Sequence, residues 1–138
     1  MIQTGMVTGW EDKMNIREEL GKRMLFFDGG LGSLLQARGL KPGELPETWN
    51  LSKPEELLAI HKEYLEAGAD AIKTNTFGLP RMAAAHTPGW EALAEAGWKL
   101  AEAAAAPAGA FVFADLGPAP ETEALPAAQV YTAVAEQF

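Results

Sequence analysis

Three short apolar runs, each emptying into a polar or glycine-rich segment and each separated from the next by a helical pattern, constrain this chain more than any other feature. The runs are Met24-Leu25-Phe26-Phe27, Ala69 to Lys73 and Ala110 to Ala114. Continuous apolar runs of strand length fit strands buried on both faces, which is the signature of a parallel sheet. The segments that follow them are Asp28-Gly29-Gly30-Leu31-Gly32-Ser33, Thr74-Asn75-Thr76-Phe77-Gly78 and Asp115-Leu116-Gly117-Pro118. Strand starts lie roughly 40 to 45 residues apart, long for a minimal βαβ unit and normal where loops carry function. Alternating strands and helices imply right-handed βαβ units. A complete (β/α)8 barrel needs about 250 residues, so 138 residues accommodate about the first three βα units of eight. The expected fold class is α/β, a partial (β/α)8 TIM barrel.

The helices are read from period and punctuation. A pattern begins at Met14 with Ile16 and Leu20 and ends near Gly21; residues 1–13 read as a flexible extension outside the fold, leaving 14–138 as the domain. A short helix runs from Leu31 to about Arg38, closed by Gly39, and Lys41 to Leu51 reads as a loop. Ser52-Lys53-Pro54-Glu55 has capping-box form. Leu57, Ile60, His61, Tyr64 and Leu65 then share one helical face, and Gly68 ends it. Pro80 to His86 reads as a short helix, Trp90 to about Ala106 as a longer one with Leu93, Gly97 and Leu100 on one side, and Ala127 to Phe138 as a last helix.

Composition narrows the function classes. Eleven basic and nineteen acidic side chains give a net charge of −8, which disfavours nucleic acid as a partner. No apolar run approaches a membrane span, so no membrane partner is expected. The absence of cysteine excludes a disulfide scaffold, a thiolate metal site and a thiol nucleophile from this chain alone. No secretory leader opens the sequence, and a cytoplasmic setting is the expectation.

In parallel α/β folds ligands bind at the carboxyl ends of strands, which makes the three strand ends the candidate site. In Asp28-Gly29-Gly30-Leu31-Gly32-Ser33 the glycines permit close backbone approach, amides at a following helix start can bind a carboxylate or phosphate, and Asp28 can receive an ammonium; the set suits an amino-acid zwitterion. A tight strand-to-helix turn capped by Asp28 explains the same residues. Leu35 stands where a dinucleotide fingerprint wants its third glycine, and no Gly-Lys-Ser/Thr phosphate loop occurs. Thr74, Asn75 and Thr76 offer two hydroxyls and an amide to a polar substrate, or satisfy their own turn. Asp115 is either a ligand contact or a cap. His61, on an apolar helix face, reads as a packed histidine, and His86 has no partner at metal spacing. The four tryptophans, Trp10, Trp49, Trp90 and Trp98, are scattered.

Met24 to Ser33 (MLFFDGGLGS), Ala59 to Phe77 (AIHKEYLEAGADAIKTNTF) and Ala114 to Pro118 (ADLGP) resemble the homocysteine S-methyltransferase domain, particularly the kind at the amino terminus of cobalamin-dependent methionine synthase. His61 to Asp70 followed by Thr74-Asn75-Thr76-Phe77 is the most specific element, and the likeness covers about Met14 to Phe138. The resemblance implies an eight-stranded barrel whose three cysteines hold zinc, with zinc keeping the homocysteine sulfur as a thiolate for methyl transfer. It implies methylcobalamin as donor in methionine synthase, with the remaining barrel and the cobalamin and folate domains as partners in the full-length protein. By analogy, Asp28 and the backbone of Gly29, Gly30, Leu31, Gly32 and Ser33 contact homocysteine, with Thr74, Asn75, Thr76 and Asp115 nearby. The family's cysteines lie in later strands and this chain has none, so the expectation is a chain with part of the substrate site, no catalytic residue, no zinc, no cofactor of its own and no methyl transfer alone. A betaine- or S-methylmethionine-dependent enzyme fits the same residues. A different reading is a non-catalytic small α/β module that binds a ligand or partner and self-associates as a homo-oligomer through its exposed sheet edges.

Overall fold

A computed structural model describes residues 15–122 and 124–138; the expected extension and the Met14 helix start lie outside them. The elements run α1 (Ile16–Glu19), α2 (Gly32–Ala37), a 3-10 turn (Pro46–Thr48), α3 (Trp49–Ser52), α4 (Pro54–Glu66), β1 (Ala71–Lys73), α5 (Leu79–Ala84), α6 (Trp90–Ala105), a second 3-10 turn (Ala106–Ala108), β2 (Phe111–Phe113) and α7 (Ala127–Ala135). β1 and β2 are parallel, with Ala71, Ile72 and Lys73 opposite Phe111, Val112 and Phe113. The chain is thus mixed α/β around a parallel sheet.

Period-2 alternation divides the sheet. Ile72 is fully buried against Ala101, Ala104 and Ala105 of α6, with Val112 and Leu65 packed alongside. A second core joins Leu35, Leu40, Trp49, Leu57 and Ile60 across α2, α3 and α4. A third joins Leu79 and Met82 of α5, Trp90, Leu93 and Ala94 of α6, and Val130 and Val134 of α7. The apolar face anticipated for α4 buries Leu57, Ile60 and His61, and Gly68, at φ +105°, turns the chain where a side chain would be strained.

The first apolar run departs from expectation. It forms no regular strand; Phe27 makes a single parallel bridge to Ala71. The Asp28 amide donates to the Ala71 carbonyl at 2.9 Å, and the Asp70 amide donates to Phe26 at 2.8 Å. Asp70 also accepts from the Phe26 amide at 2.9 Å and from Arg23 at 2.6 Å. These two bonds, the backbone one first, hold its carboxyl below the usual range. Met24, Phe26 and Phe27 are at least half exposed, at 74%, 57% and 50%, and β2 is only half-buried. The run lies at the outer edge of the sheet, held to β1 by that one bridge, while α6 packs over Ile72 and Val112; the Phe27 ring rests on Phe113 with centroids 4.9 Å apart.

Two further expectations are corrected. The segment read as a loop contains the first 3-10 turn and α3, a four-residue helix that buries Trp49 and Asn50. The capping box does not form: Lys53 is the N-cap residue of α4 without a side-chain bond, and the Ser52 hydroxyl donates instead to the Thr48 carbonyl at 3.0 Å. Among the described residues no helix is long and apolar enough to cross a membrane.

Candidate functional site

The ends of β1 and β2 and the segment after the first apolar run open on one cavity of about 490 Å³. Asp28, Gly29, Gly30, Leu31 and Gly32 form one wall, Lys73 to Gly78 another, and Asp115 with Pro118 a third; Leu45, Pro46, Glu47, Arg81 and Met82 complete the lining. Of the ten candidate residues, nine line this cavity. Ser33 does not; it is exposed in α2.

Asp28 is 8% exposed. Its Oδ2 accepts the Lys73 amide at 3.0 Å. Its Oδ1 lies 3.1 Å from the Lys73 ammonium, off the direction of a hydrogen bond, and has no hydrogen-bond donor among the described residues. A buried carboxylate half-satisfied in this way retains acceptor capacity for a cationic group. The adjoining glycine has a packing role as well: a Cβ at Gly29 would stand 2.9 Å from the Tyr64 hydroxyl, which itself donates to the Gly30 carbonyl at 2.9 Å.

The side-chain donors of the second strand end are committed to structure. The Asp115 amide donates to Thr74 Oγ1 at 3.1 Å, and Thr76 Oγ1 donates to the Asp115 carbonyl at 2.8 Å. Thr76 has one hydroxyl proton, so in its 2.5 Å contact with Thr74 the proton comes from Thr74. The result is a closed ring that ties the end of β1 to the end of β2 and uses both threonine protons. Asn75 donates to the Pro46 carbonyl at 2.8 Å and to Asn50 Oδ1 at 2.9 Å, while Asn50 Nδ2 donates to the carbonyls of Asn75 and Leu93 at 2.8 and 3.0 Å. Helix α6 approaches closely enough that a Cβ at Gly97 would lie 2.7 Å from Asn50 Nδ2. These residues shape the cavity more than they offer it donors.

Three charged lining residues escaped the sequence reading. Glu47 is buried, and its Oε1 accepts the Gly78 amide at 2.6 Å. Arg81 enters from α5 and Lys73 from the last position of β1. For Lys73 a partial signal was present: alternation puts it on the face opposite Ile72, immediately before the Thr74 strand end. The Asp115 carboxyl is pushed up by burial, with the Lys73 charge acting against that and the Asp28 charge adding to it. Three carboxylates thus face two cations. His61 is buried in α4, neither ring nitrogen has a hydrogen-bond partner among the described residues, and burial pushes its pKa down against the pull of Asp28.

Residues 25–138 match the family model for homocysteine S-methyltransferase. The chain belongs to that family. It is 39% identical over 70 residues to methionine synthase of Mycobacterium tuberculosis, an overlap of 46% of this chain and 6% of that protein. To methionine synthase of Mycobacterium leprae it is 39% identical over 72 residues, again 46% of this chain and 6% of the relative. Among solved structures, the metallated homocysteine methyltransferase MmuM from Escherichia coli aligns with a TM-score of 0.61 at 26% identity, over 75% of this chain and 41% of that one. The oxidized form aligns with a TM-score of 0.61 at 24% identity, over 87% and 44%, and shows the shared fold. The chain therefore spans less than half of the structures it matches and a small part of the two synthases.

Zinc does not fit the residues present. The sequence has no cysteine and two histidines, and among the described residues no three His, Asp or Glu side chains converge to hold a metal ion.

Proposed function

We propose that this chain forms the first three βα units of an eight-fold barrel and carries part of the homocysteine site of an enzyme that makes methionine by methyl transfer to homocysteine sulfur. The observation that carries this reading is the buried Asp28 carboxylate, one oxygen without a hydrogen-bond donor, in the wall of a 490 Å³ cavity within a chain of this family. Asp28 receives the substrate ammonium. The glycine wall from Gly29 to Gly32 admits the amino-acid backbone closely. The Thr74–Thr76–Asp115 ring and the Asn50–Asn75 pair hold the walls at fixed spacing, which is how a rigid shell serves a binding site.

The groups that hold and activate the sulfur are supplied elsewhere in the full-length protein, as are the cobalamin and folate domains that the family likeness implies. This chain alone makes no methionine; methionine formed by it from homocysteine would refute that. Calorimetric titration with L-homocysteine tests the binding role. The Asp28→Asn variant is expected to bind about tenfold or more weakly, the scale of one charged hydrogen bond. An unchanged affinity would exclude Asp28 as the ammonium receptor.

The exposed Met24, Phe26 and Phe27 side chains favour a second reading, a module that self-associates through its open sheet edge. Sedimentation that finds only monomer at micromolar concentration would exclude it.

A further inference from the structure

The place where a bound amino acid would put its ammonium is already contested from within. The Lys73 ammonium stands 3.1 Å from Asp28 Oδ1, with its side chain 33% exposed against 3% for that of Asp28. It also reaches the Asp28 carbonyl, at 3.4 Å. A buried ion pair retained for stability needs well-directed hydrogen bonds to offset desolvation. This one lacks such a bond at Oδ1, while its cationic partner stays wet in the cavity wall. The lysine hangs on a flexible four-carbon stem, so the ammonium can leave Oδ1 at little cost. Asp115, in the same cavity wall, is a second carboxylate whose titration already senses the Lys73 charge.

We propose that an α-amino acid inserts into the Lys73–Asp28 pair, its ammonium donating to Asp28 Oδ1 and its carboxylate accepting from Lys73 Nζ. This deepens the homocysteine reading and rests on it. Insertion of a zwitterion exchanges one ion pair for two and leaves the net charge of the cavity unchanged. An amine without a carboxylate displaces Lys73 and gives it nothing in return. A carboxylate without an amine leaves Asp28 facing Lys73 as before and competes with it. Lys73 is therefore a specificity residue that selects for both charges on one ligand, and its own ammonium sets the threshold an incoming amine must exceed.

The test is calorimetric titration of the full chain and its Lys73→Met and Lys73→Arg variants with L-homocysteine, its α-amide and 3-aminopropane-1-thiol, which lacks the carboxylate. The wild type is expected to prefer L-homocysteine over both analogues by about tenfold or more. Lys73→Met erases that preference: affinity for L-homocysteine falls about 10- to 100-fold, whereas affinity for 3-aminopropane-1-thiol holds or rises because the internal competitor is gone. Lys73→Arg recovers part of the preference. A merely structural lysine would weaken all three ligands together. The wild-type comparison of acid with amide requires no variant to fold, and equal binding of the two overturns the proposal. A carboxylate preference that survives in Lys73→Met overturns it too and leaves the homocysteine reading standing. Failure of the wild type to bind homocysteine removes that reading and the insertion together.

Discussion

Replacing Asn50 with alanine isolates the cost of the buried amide pair behind the cavity. Asn50 is 2% exposed. It donates to the carbonyls of Asn75 and Leu93 and accepts from the Asn75 amide, all between 2.8 and 3.0 Å. Each intramolecular hydrogen bond contributes about 1 kcal/mol net, and a buried polar group left unpaired costs about 1–3 kcal/mol. Truncation removes three bonds but leaves Asn75 its bond to the Pro46 carbonyl, so a loss of about 3–5 kcal/mol is expected. That is about a fifth or more of the stability of an ordinary domain, roughly 5–15 kcal/mol. Urea unfolding followed by tryptophan fluorescence measures it, since Trp49 is adjacent and fully buried. Asn50→Asp should be at least as damaging at neutral pH, because it keeps the acceptor for Asn75 and turns a negative oxygen toward two carbonyls. A loss below about 1 kcal/mol for Asn50→Ala would mean that the pair is replaced by water or is not formed, and the rigid-wall reasoning would fall with it.

Three further outcomes are expected. Burial lowers the His61 pKa, so the folded state holds the imidazole neutral while the unfolded chain protonates near its ordinary value of about 6.5. Its contribution to stability is present above that value and is lost as pH falls from there toward the lower folded pKa; unfolding midpoints from pH 7.5 to 5 should show this slope, and His61→Leu should flatten it. Thr76→Val opens the hydroxyl ring and is expected to cost about 1–3 kcal/mol, with faster amide exchange at Asp115 and Thr74 as the local readout; unchanged exchange at both would count against the ring. Gly97→Ala places a methyl against Asn50 Nδ2 and Thr76 Cγ2, at 2.7 and 2.9 Å, and should lower stability by about 1–3 kcal/mol from overpacking, although alanine is the better helix former by about 1 kcal/mol; a more stable variant would show that α6 can move away.

Local patterns carried what local physics decides. The α4 face was legible because Leu57, Ile60 and His61 repeat at helical spacing and all three are buried. The Gly68 turn and the β1 end were legible for similar reasons, since a glycine stop and an apolar run speak only of their own neighbourhood. Helix α3 was not. Trp49 and Asn50 are held by contacts with α4 and α6, and the bonds of Asn50 span 25 and 43 residues, a distance no periodicity records. The Ser52 signature misled because the preceding turn was already helical, giving its hydroxyl a carbonyl four residues back. The first apolar run misled in another way. Its residues report the burial that suits them, whereas the run sits at the outer edge of the sheet and meets β1 through a single bridge. At the candidate site the polar strand ends were visible in sequence, but not that Thr74 and Thr76 spend their protons on each other and on Asp115. The ammonium beside Asp28 required the register of β1 to be seen.

The hydroxyl ring has one more consequence. Both of its links to residue 115 run through main-chain atoms, the amide and the carbonyl, so the architecture is indifferent to which side chain that position carries. The half-buried carboxylate there can be exchanged without untying the loops, which makes position 115 the natural place to start a library aimed at altered ligand preference.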